Sequence, residues 1–241
     1  MDTKLLSILQ EEMGMKLKGG LYHQTQIKLA FNSNRIEGSR LSEDQTRYIF
    51  ETNTISAPSG EATNVDDIIE TVNHFTCFDT MLKTASEKLS EDLIKDFHRI
   101  LKTGTYDAKK DWFAVGGYKT RANSVGGEKT TPPGKVAGEM KKLIAAYNQD
   151  SPKSFEDIVE FHHRFESIHP FQDGNGRVGR IVMFRECLAN GILPFIIDHE
   201  HKQFYYRGLK EFPNEKGYLM ETCRSSQDAY EKLVAYFFSK P

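Results

Sequence analysis

Twelve residues, His169-Pro-Phe-Gln-Asp-Gly-Asn-Gly-Arg-Val-Gly-Arg180, interrupt an otherwise helical pattern and constrain the fold more than any other stretch. An apolar, helix-like run enters them from Phe155 to Ile168, and another leaves from Asn175 to Leu188. Pro170 disfavours helical geometry at His169, and Gly174 and Gly176 let the backbone approach a ligand closely. A glycine-bearing turn opening directly into a helix aims unpaired N–H groups at one spot, which suits an anion such as phosphate. Near that spot stand His169 as a candidate base, Asp173 as a candidate metal ligand, and Arg177 and Arg180 three residues apart on one helical face. This combination fits a site that handles a polyphosphate.

Helical spacing governs most of the remaining chain. Leu5, Leu6, Ile8, Leu9 and Met13 form an amphipathic run ending near Gly19-Gly20, and Gln24 to Arg35 reads as a second helix stopped by Gly38. Ser33 and Glu37, four residues apart, share one side of that helix's end. Ser42 caps a third helix through Phe50, Ala57 to Gly60 is a loop, Asn64 or Asp66 opens a longer helix, and Ser90 caps the next. The exception lies between Trp112 and Pro133, where Gly116-Gly117, Gly126-Gly127 and Pro132-Pro133 suit a short β-hairpin or extended flap. Helices are expected again over Lys135–Tyr147, Phe155–Ile168, Asn175–Leu188, His199–Phe212 and Tyr218–Phe238.

A chain of 241 residues suits one large domain, and a net charge of −2 argues against a strongly electrostatic nucleic-acid binder. No apolar run is long enough to span a membrane, and no signal-peptide pattern follows Met1. Cys77, Cys187 and Cys223 are odd in number and widely spaced, which reads as reduced thiols and a cytoplasmic protein. Asp198-His-Glu-His201 could be drawn as a metal site, but its place reads better as a helix start. His162 and His163 are adjacent, so they face different sides of their helix.

The twelve residues match the signature His-x-Phe-x-(Asp/Glu)-Gly-Asn-Gly-Arg-x-x-Arg at every specified position, and the chain thereby resembles Fic-domain proteins. The likeness extends outward. Leu93 to Leu101 resembles the family's helix before the flap, Gly117-Tyr-Lys-Thr through Val125-Gly-Gly and Pro132-Pro133 resembles the flap, and His163 to His169 is the usual approach to the signature. Ser33-Asn-Arg-Ile-Glu37-Gly38 resembles the inhibitory motif (Ser/Thr)-x-x-x-Glu-(Gly/Asn). Phe204-Tyr205-Tyr206 followed by Asn214-Glu215 resembles the nucleoside-side segment, with spacing about one residue off.

The resemblance implies an all-α Fic fold, a helical bundle with a short β-hairpin flap. It implies a single domain over 1–241, with an inhibitory helix at about 24–38 and the flap at about 112–133. The implied activity is transfer of AMP from ATP to a Ser, Thr or Tyr hydroxyl of a protein, the chain itself included. In that scheme His169 takes the hydroxyl's proton and Asp173 holds Mg²⁺. The loop Gly174, Asn175 and Gly176 binds the α-phosphate through N–H groups, Arg177 and Arg180 hold phosphates further along, and Tyr206 and Asn214 face the nucleoside. Gly117, Tyr118, Lys119, Thr120 and Val125 of the flap would pair with the target. Glu37 would seat bidentately on Arg180, steadied by a hydrogen bond from Ser33, and keep basal activity low. The implied partners are ATP, a hydroxyl-bearing protein and a second copy in a homodimer, with no nucleic acid and no membrane. Doc-like kinases carry a lysine where this chain has Gly176, which favours nucleotidyl transfer. Transfer of UMP or phosphocholine, removal of AMP with Glu37 positioning water, and a non-catalytic nucleotide sensor are the alternatives.

Overall fold

The computed structural model describes residues 2–55, 62–149 and 152–238. The expected loop at Ala57 to Gly60 lies outside the described residues. Ten α-helices and one hairpin make up the regular structure of the described residues: α1 (Asp2–Met15), α2 (Leu21–Ile36), α3 (Glu43–Thr52), α4 (Val65–Thr84), α5 (Glu91–Lys102), β1 (Ser124–Val125), β2 (Glu128–Lys129), α6 (Pro133–Tyr147), α7 (Phe155–Ile168), α8 (Asn175–Ala189), α9 (Lys202–Glu211) and α10 (Gly217–Phe238).

Local chemistry sets most of these boundaries. Ser42 and Gln45 close a reciprocal capping box at α3, Ser154 and Asp157 do the same at α7, and Ser90 accepts from Leu93 N–H at α5. Asn64 caps α4 by accepting from Asp66 N–H. Helix α2 begins three residues before the expected Gln24, because Glu12 on α1 accepts from Tyr22 N–H at 2.7 Å and serves an N-terminus that Gly20 cannot cap with a side chain. Helix α6 starts at Pro133 instead of Lys135, since proline at a first helical position gives up no needed donor. The expected helix from His199 is split. Asp198 caps a 3₁₀ turn over His199–His201, and the α-helix proper begins at Lys202.

Helix α8 is the axle of the bundle. From Asn175 to Leu188 every residue is buried, and the helix packs against α7, α4, α5, α2 and α1. Its apolar members Val178, Ile181, Val182 and Phe184 meet Phe78, Phe97, Phe165 and Phe171 in the main core. Its polar members are buried too, and each finds a partner. Arg185 takes the carbonyls of Thr84 and Glu87 just past the end of α4 and pairs with Glu186, to which Tyr147 donates at 3.0 Å. Cys77, Cys187 and Cys223 are buried free thiols. Among the described residues no helix is long and apolar enough to cross a membrane.

The flap is mostly irregular. Its strands are two residues each, paired antiparallel through Ser124 and Lys129, and Gly126 and Gly127 both take positive φ (57° and 86°) in the tight turn between them.

Candidate active site

The twelve-residue segment bends because of its ends. His169 caps α7 in left-handed geometry (φ 52°, ψ 63°), its N–H still bonded to Phe165 O. Gly174 precedes α8 with φ 80°. Between them Asn175 turns its side chain back on the loop. Phe171 N–H donates to Asn175 Oδ1 at 2.8 Å, and Asn175 Nδ2 donates to Phe171 O at 2.9 Å. Phe171 is fully buried and lies face to face on the His98 ring at 4.0 Å. The first intrahelical bond of α8 runs from Val178 N–H to Gly174 O. The N–H groups of Asn175, Gly176 and Arg177 therefore lack intrahelical acceptors.

His169 ends α7 just before this turn, with its side chain 17% exposed. Burial, then the nearby Lys119 ammonium, pushes its pKa down to about 4, so the imidazole is neutral at ordinary pH. Glu166, one turn back on α7, brings Oε2 to 4.0 Å from His169 Nδ1, and burial lifts the Glu166 carboxyl to about 8.

The two arginines leave α8 for different partners. Arg180 is fastened to the end of α2: Nε donates to Ser33 Oγ at 3.0 Å, and one terminal nitrogen donates to Ser33 O at 2.9 Å and to Glu37 Oε1 at 2.7 Å. Ser33 thus grips the arginine instead of steadying the carboxylate, and Glu37 makes one bond to the guanidinium instead of two. Burial works against charge on Arg180, but Glu37 together with Tyr205 and Glu166 outweighs it, and the guanidinium is held charged. The Glu37 carboxylate also fills the space over Gly176, where a Cβ would collide with Glu37 Oε1. It therefore covers the N-terminus of α8.

Arg177 turns the other way. It pairs with Glu70 of α4 and with Asp173 Oδ2 at 3.1 Å. Lys102, the last residue of α5, also pairs with Glu70 and donates to Asp173 Oδ2 at 2.6 Å. The four side chains close a ring of alternating charge. Burial would raise the Asp173 carboxyl, but Arg177 and Lys102 outweigh it and hold it far below the usual range. Both pair bonds fall on Oδ2, and the Asp173 side chain is 44% exposed, so the other carboxylate oxygen fits a metal ligand.

The flap residues divide into fasteners and exposed positions. Lys119 N–H donates to Pro170 O at 2.9 Å, and its buried ammonium reaches Asn123 Oδ1 at 2.7 Å and Thr130 Oγ1 at 2.6 Å. Burial lowers Lys119 to about 8. Asn123 Nδ2 holds Phe171 O at 3.2 Å, and Tyr118 packs on the Phe171 ring. Gly117 N–H closes a turn onto Ala114 O, Thr120 bonds back to Trp112 O, and Val125 is exposed on β1. On the opposite side Tyr206 Oη donates to Ile36 O at 3.0 Å, tying α9 to the end of α2. Asn214 lies exposed after α9, its N–H on Glu211 O. His162 bonds to Tyr205 Oη at 2.7 Å, whereas His163 stacks on Phe212, as their adjacency requires.

Glu70, Lys102, Asn123, Glu166 and His98 were not picked out by motif or spacing. Glu70 comes from α4, His98 and Lys102 from α5, Glu166 from α7 and Asn123 from the flap, and for the helical four only a charged or imidazole side chain on the inner face of an amphipathic helix hinted at a buried partner.

A helical bundle whose central helix begins at a glycine-rich turn with unpaired N–H groups, beside a neutral histidine, suits an anion such as phosphate. Residues 88–187 match the family described as Fic/DOC. Among curated proteins it is similar to the protein adenylyltransferase fic-1 of Caenorhabditis elegans, 25% identical over 195 residues, covering 78% of this chain and 37% of that protein. It is also similar to the protein adenylyltransferase Fic of Drosophila persimilis, 28% identical over 214 residues, covering 85% of this chain and 39% of that protein. The chain thus spans about two fifths of the length of these relatives. The fold matches a Fic-domain-containing signalling protein from Bacteroides thetaiotaomicron at TM-score 0.72 and 24% identity, over 98% of this chain and 91% of that one. It also matches a Fic-1 fragment from C. elegans at TM-score 0.74 and 19% identity, over 100% of this chain and 73% of that one.

Proposed function

We propose that this protein is a protein adenylyltransferase held in check by its own Glu37. The observation that carries the reading is the position of that carboxylate, bonded to Arg180 and lying over Gly176 at the N-terminus of α8. An inhibitory carboxylate is expected where a phosphate would otherwise bind, and an N-terminal turn with free N–H groups is such a place. The names of the relatives, protein adenylyltransferases, support AMP as the transferred group.

In this reading, neutral His169 takes the proton of the incoming hydroxyl as its oxygen bonds the α-phosphorus and pyrophosphate departs. The N–H groups of Asn175 and Gly176 meet the charge that grows on the α-phosphate oxygens, in a loop already fixed by the Asn175 side chain. Arg180, released from Glu37, holds the far phosphates by charge-assisted hydrogen bonds. Asp173 would hold a magnesium ion together with phosphate oxygens, and the ion would supply further neutralisation of that charge. The exposed edge around Val125 presents the target segment by main-chain pairing. Tyr206 borders the nucleoside side, and Asn214 belongs to the same side by its place after α9.

The test is incubation with ATP labelled on the α- or the γ-phosphate, with self-modification as readout. The α-label is expected on the protein, weakly in the parent and far more strongly after Glu37→Gly. Exclusive γ-labelling would replace adenylyl transfer by phosphoryl transfer, and equal α-labelling of parent and variant would remove the brake.

A further inference from the structure

The charge ring beside the anion turn is built unlike an ordinary metal site. Lys102 and Arg177 are 3% and 4% exposed, so neither cation can swing out to solvent. Glu70 ties both from behind. Of the four, Asp173 is the most exposed, and it already has the Lys102 ammonium at 2.6 Å and the Arg177 guanidinium at 3.1 Å. Two carboxylates and two cations leave the ring without net charge. A bare dication arriving at Asp173 would add two positive charges next to two more. Mg²⁺ also dehydrates reluctantly and needs six oxygens at about 2.0–2.1 Å, whereas the two cations sit on Asp173 Oδ2 and leave it only Oδ1 of that carboxylate. A dication that arrives wrapped in phosphate oxygens brings its own negative charge and meets no such opposition.

We propose that Lys102 stands in for the metal at Asp173 in the nucleotide-free protein, so that a divalent cation is admitted only together with a polyphosphate. Lys102 is then a positioning residue. It keeps Asp173 and the loop that follows in place while the site is empty, and it sets the order in which metal and nucleotide enter. Glu70 serves the arrangement by anchoring the ammonium and Arg177 at once. The proposal rests on reading Asp173 as the metal ligand.

Binding is measured on the full chain carrying Glu37→Gly, by equilibrium dialysis of Mn²⁺ as a magnesium stand-in. The nucleotide is α,β-methylene ATP, which cannot transfer AMP, at equal concentration on both sides of the membrane. Excess manganese on the protein side is expected only when the nucleotide is present. Adding Lys102→Met is expected to let the protein take up manganese without nucleotide, at least about tenfold more tightly than its parent. Lys102→Arg, which keeps the charge, is expected to retain the nucleotide requirement. Manganese uptake by the parent that is equally tight with and without nucleotide would overturn the proposal, and this arm depends on no substitution in the ring. A folded Lys102→Met protein, checked by circular dichroism, that still needs nucleotide would overturn it as well. Asp173→Ala separates the two readings. If manganese uptake with nucleotide survives that change, Asp173 is not the ligand, and the failure lies in the metal assignment.

Discussion

At the residue scale, the properties of His169 follow from where α7 ends. A left-handed cap tucks the ring under the flap, and desolvation holds its pKa near 4. A base of that kind stays unprotonated well below the ordinary histidine range. The acid limb of the transfer rate of the Glu37→Gly protein should therefore fall near pH 4, against about 6.5 for an exposed histidine. A rate profile from pH 3.5 to 8 checks this. His169→Ala should lower transfer by about 10²–10⁴ while leaving ATP affinity largely unchanged, as measured by calorimetry. The signature residues were legible because their chemistry is local, a few positions apart along one turn. Glu70 and Lys102 were not legible, since Arg177 and Glu70 are 107 residues apart and Lys102 and Asp173 are 71 apart. Amphipathic spacing tells which face of α4 or α5 is buried, and it is silent on which buried charge meets which.

At the scale of elements, the flap differs most from what punctuation alone suggests. Glycines and prolines marked its limits, but four residues of strand cannot hold an edge in place. Bonds outside the strands do it instead: Lys119 N–H donates to Pro170 O, its ammonium to Ile168 O, and Asn123 Nδ2 to Phe171 O. Lys119 was expected among the target-binding positions, yet its ammonium is buried among Asn123, Thr130 and Ile168 O. Lys119→Met should loosen the flap. Faster amide exchange over residues 120–130 is expected, with transfer to protein reduced and nucleotide binding little changed. Unchanged exchange there would mean that the backbone bond to Pro170 O suffices. Helix starts were legible wherever Ser or Asn supplied the cap, as at α3, α4 and α5. The start of α2 was missed because its cap is borrowed from Glu12 on α1, a tertiary contact.

At the scale of the molecule, threading a polar α8 through the core is accompanied by several buried imidazoles. Burial pushes His74, His98 and His162 down to about 3. Their folded pKa values lie below the unfolded value, so the stability they contribute is fully present above about pH 6.5 and is lost as pH falls toward 3. The unfolded chain binds protons over that window that the native chain refuses. Each such group costs about 1.4 kcal/mol per pH unit below its unfolded value, before other carboxylates are counted. Melting temperature should therefore fall steeply between pH 6.5 and 4.5, and His162→Gln should flatten the slope. The all-helical plan was plain in the sequence, because apolar residues at helical spacing recur through every long segment. The complete burial of α8 from Asn175 to Leu188 was not, since nothing near Arg185 and Glu186 in the sequence points to the carbonyls of Thr84 and Glu87 or to the Tyr147 hydroxyl that receive them.

The position of Glu37 has a thermodynamic corollary. Its carboxylate and any anion bound at Gly176 compete for one volume, so each must weaken the other by the same factor, whatever that factor is. Glu37 lies just past the last helical residue of α2, ahead of Gly38 at φ 101°. Its release by fraying of that helix end also breaks the Arg180 bond to its carboxylate and the Tyr206 bond to Ile36 O. Nucleotide concentration and fraying are then two readings of a single equilibrium. Amide exchange at residues 35–38 should quicken as ATP is added, by the ratio in which Glu37→Gly tightens ATP binding.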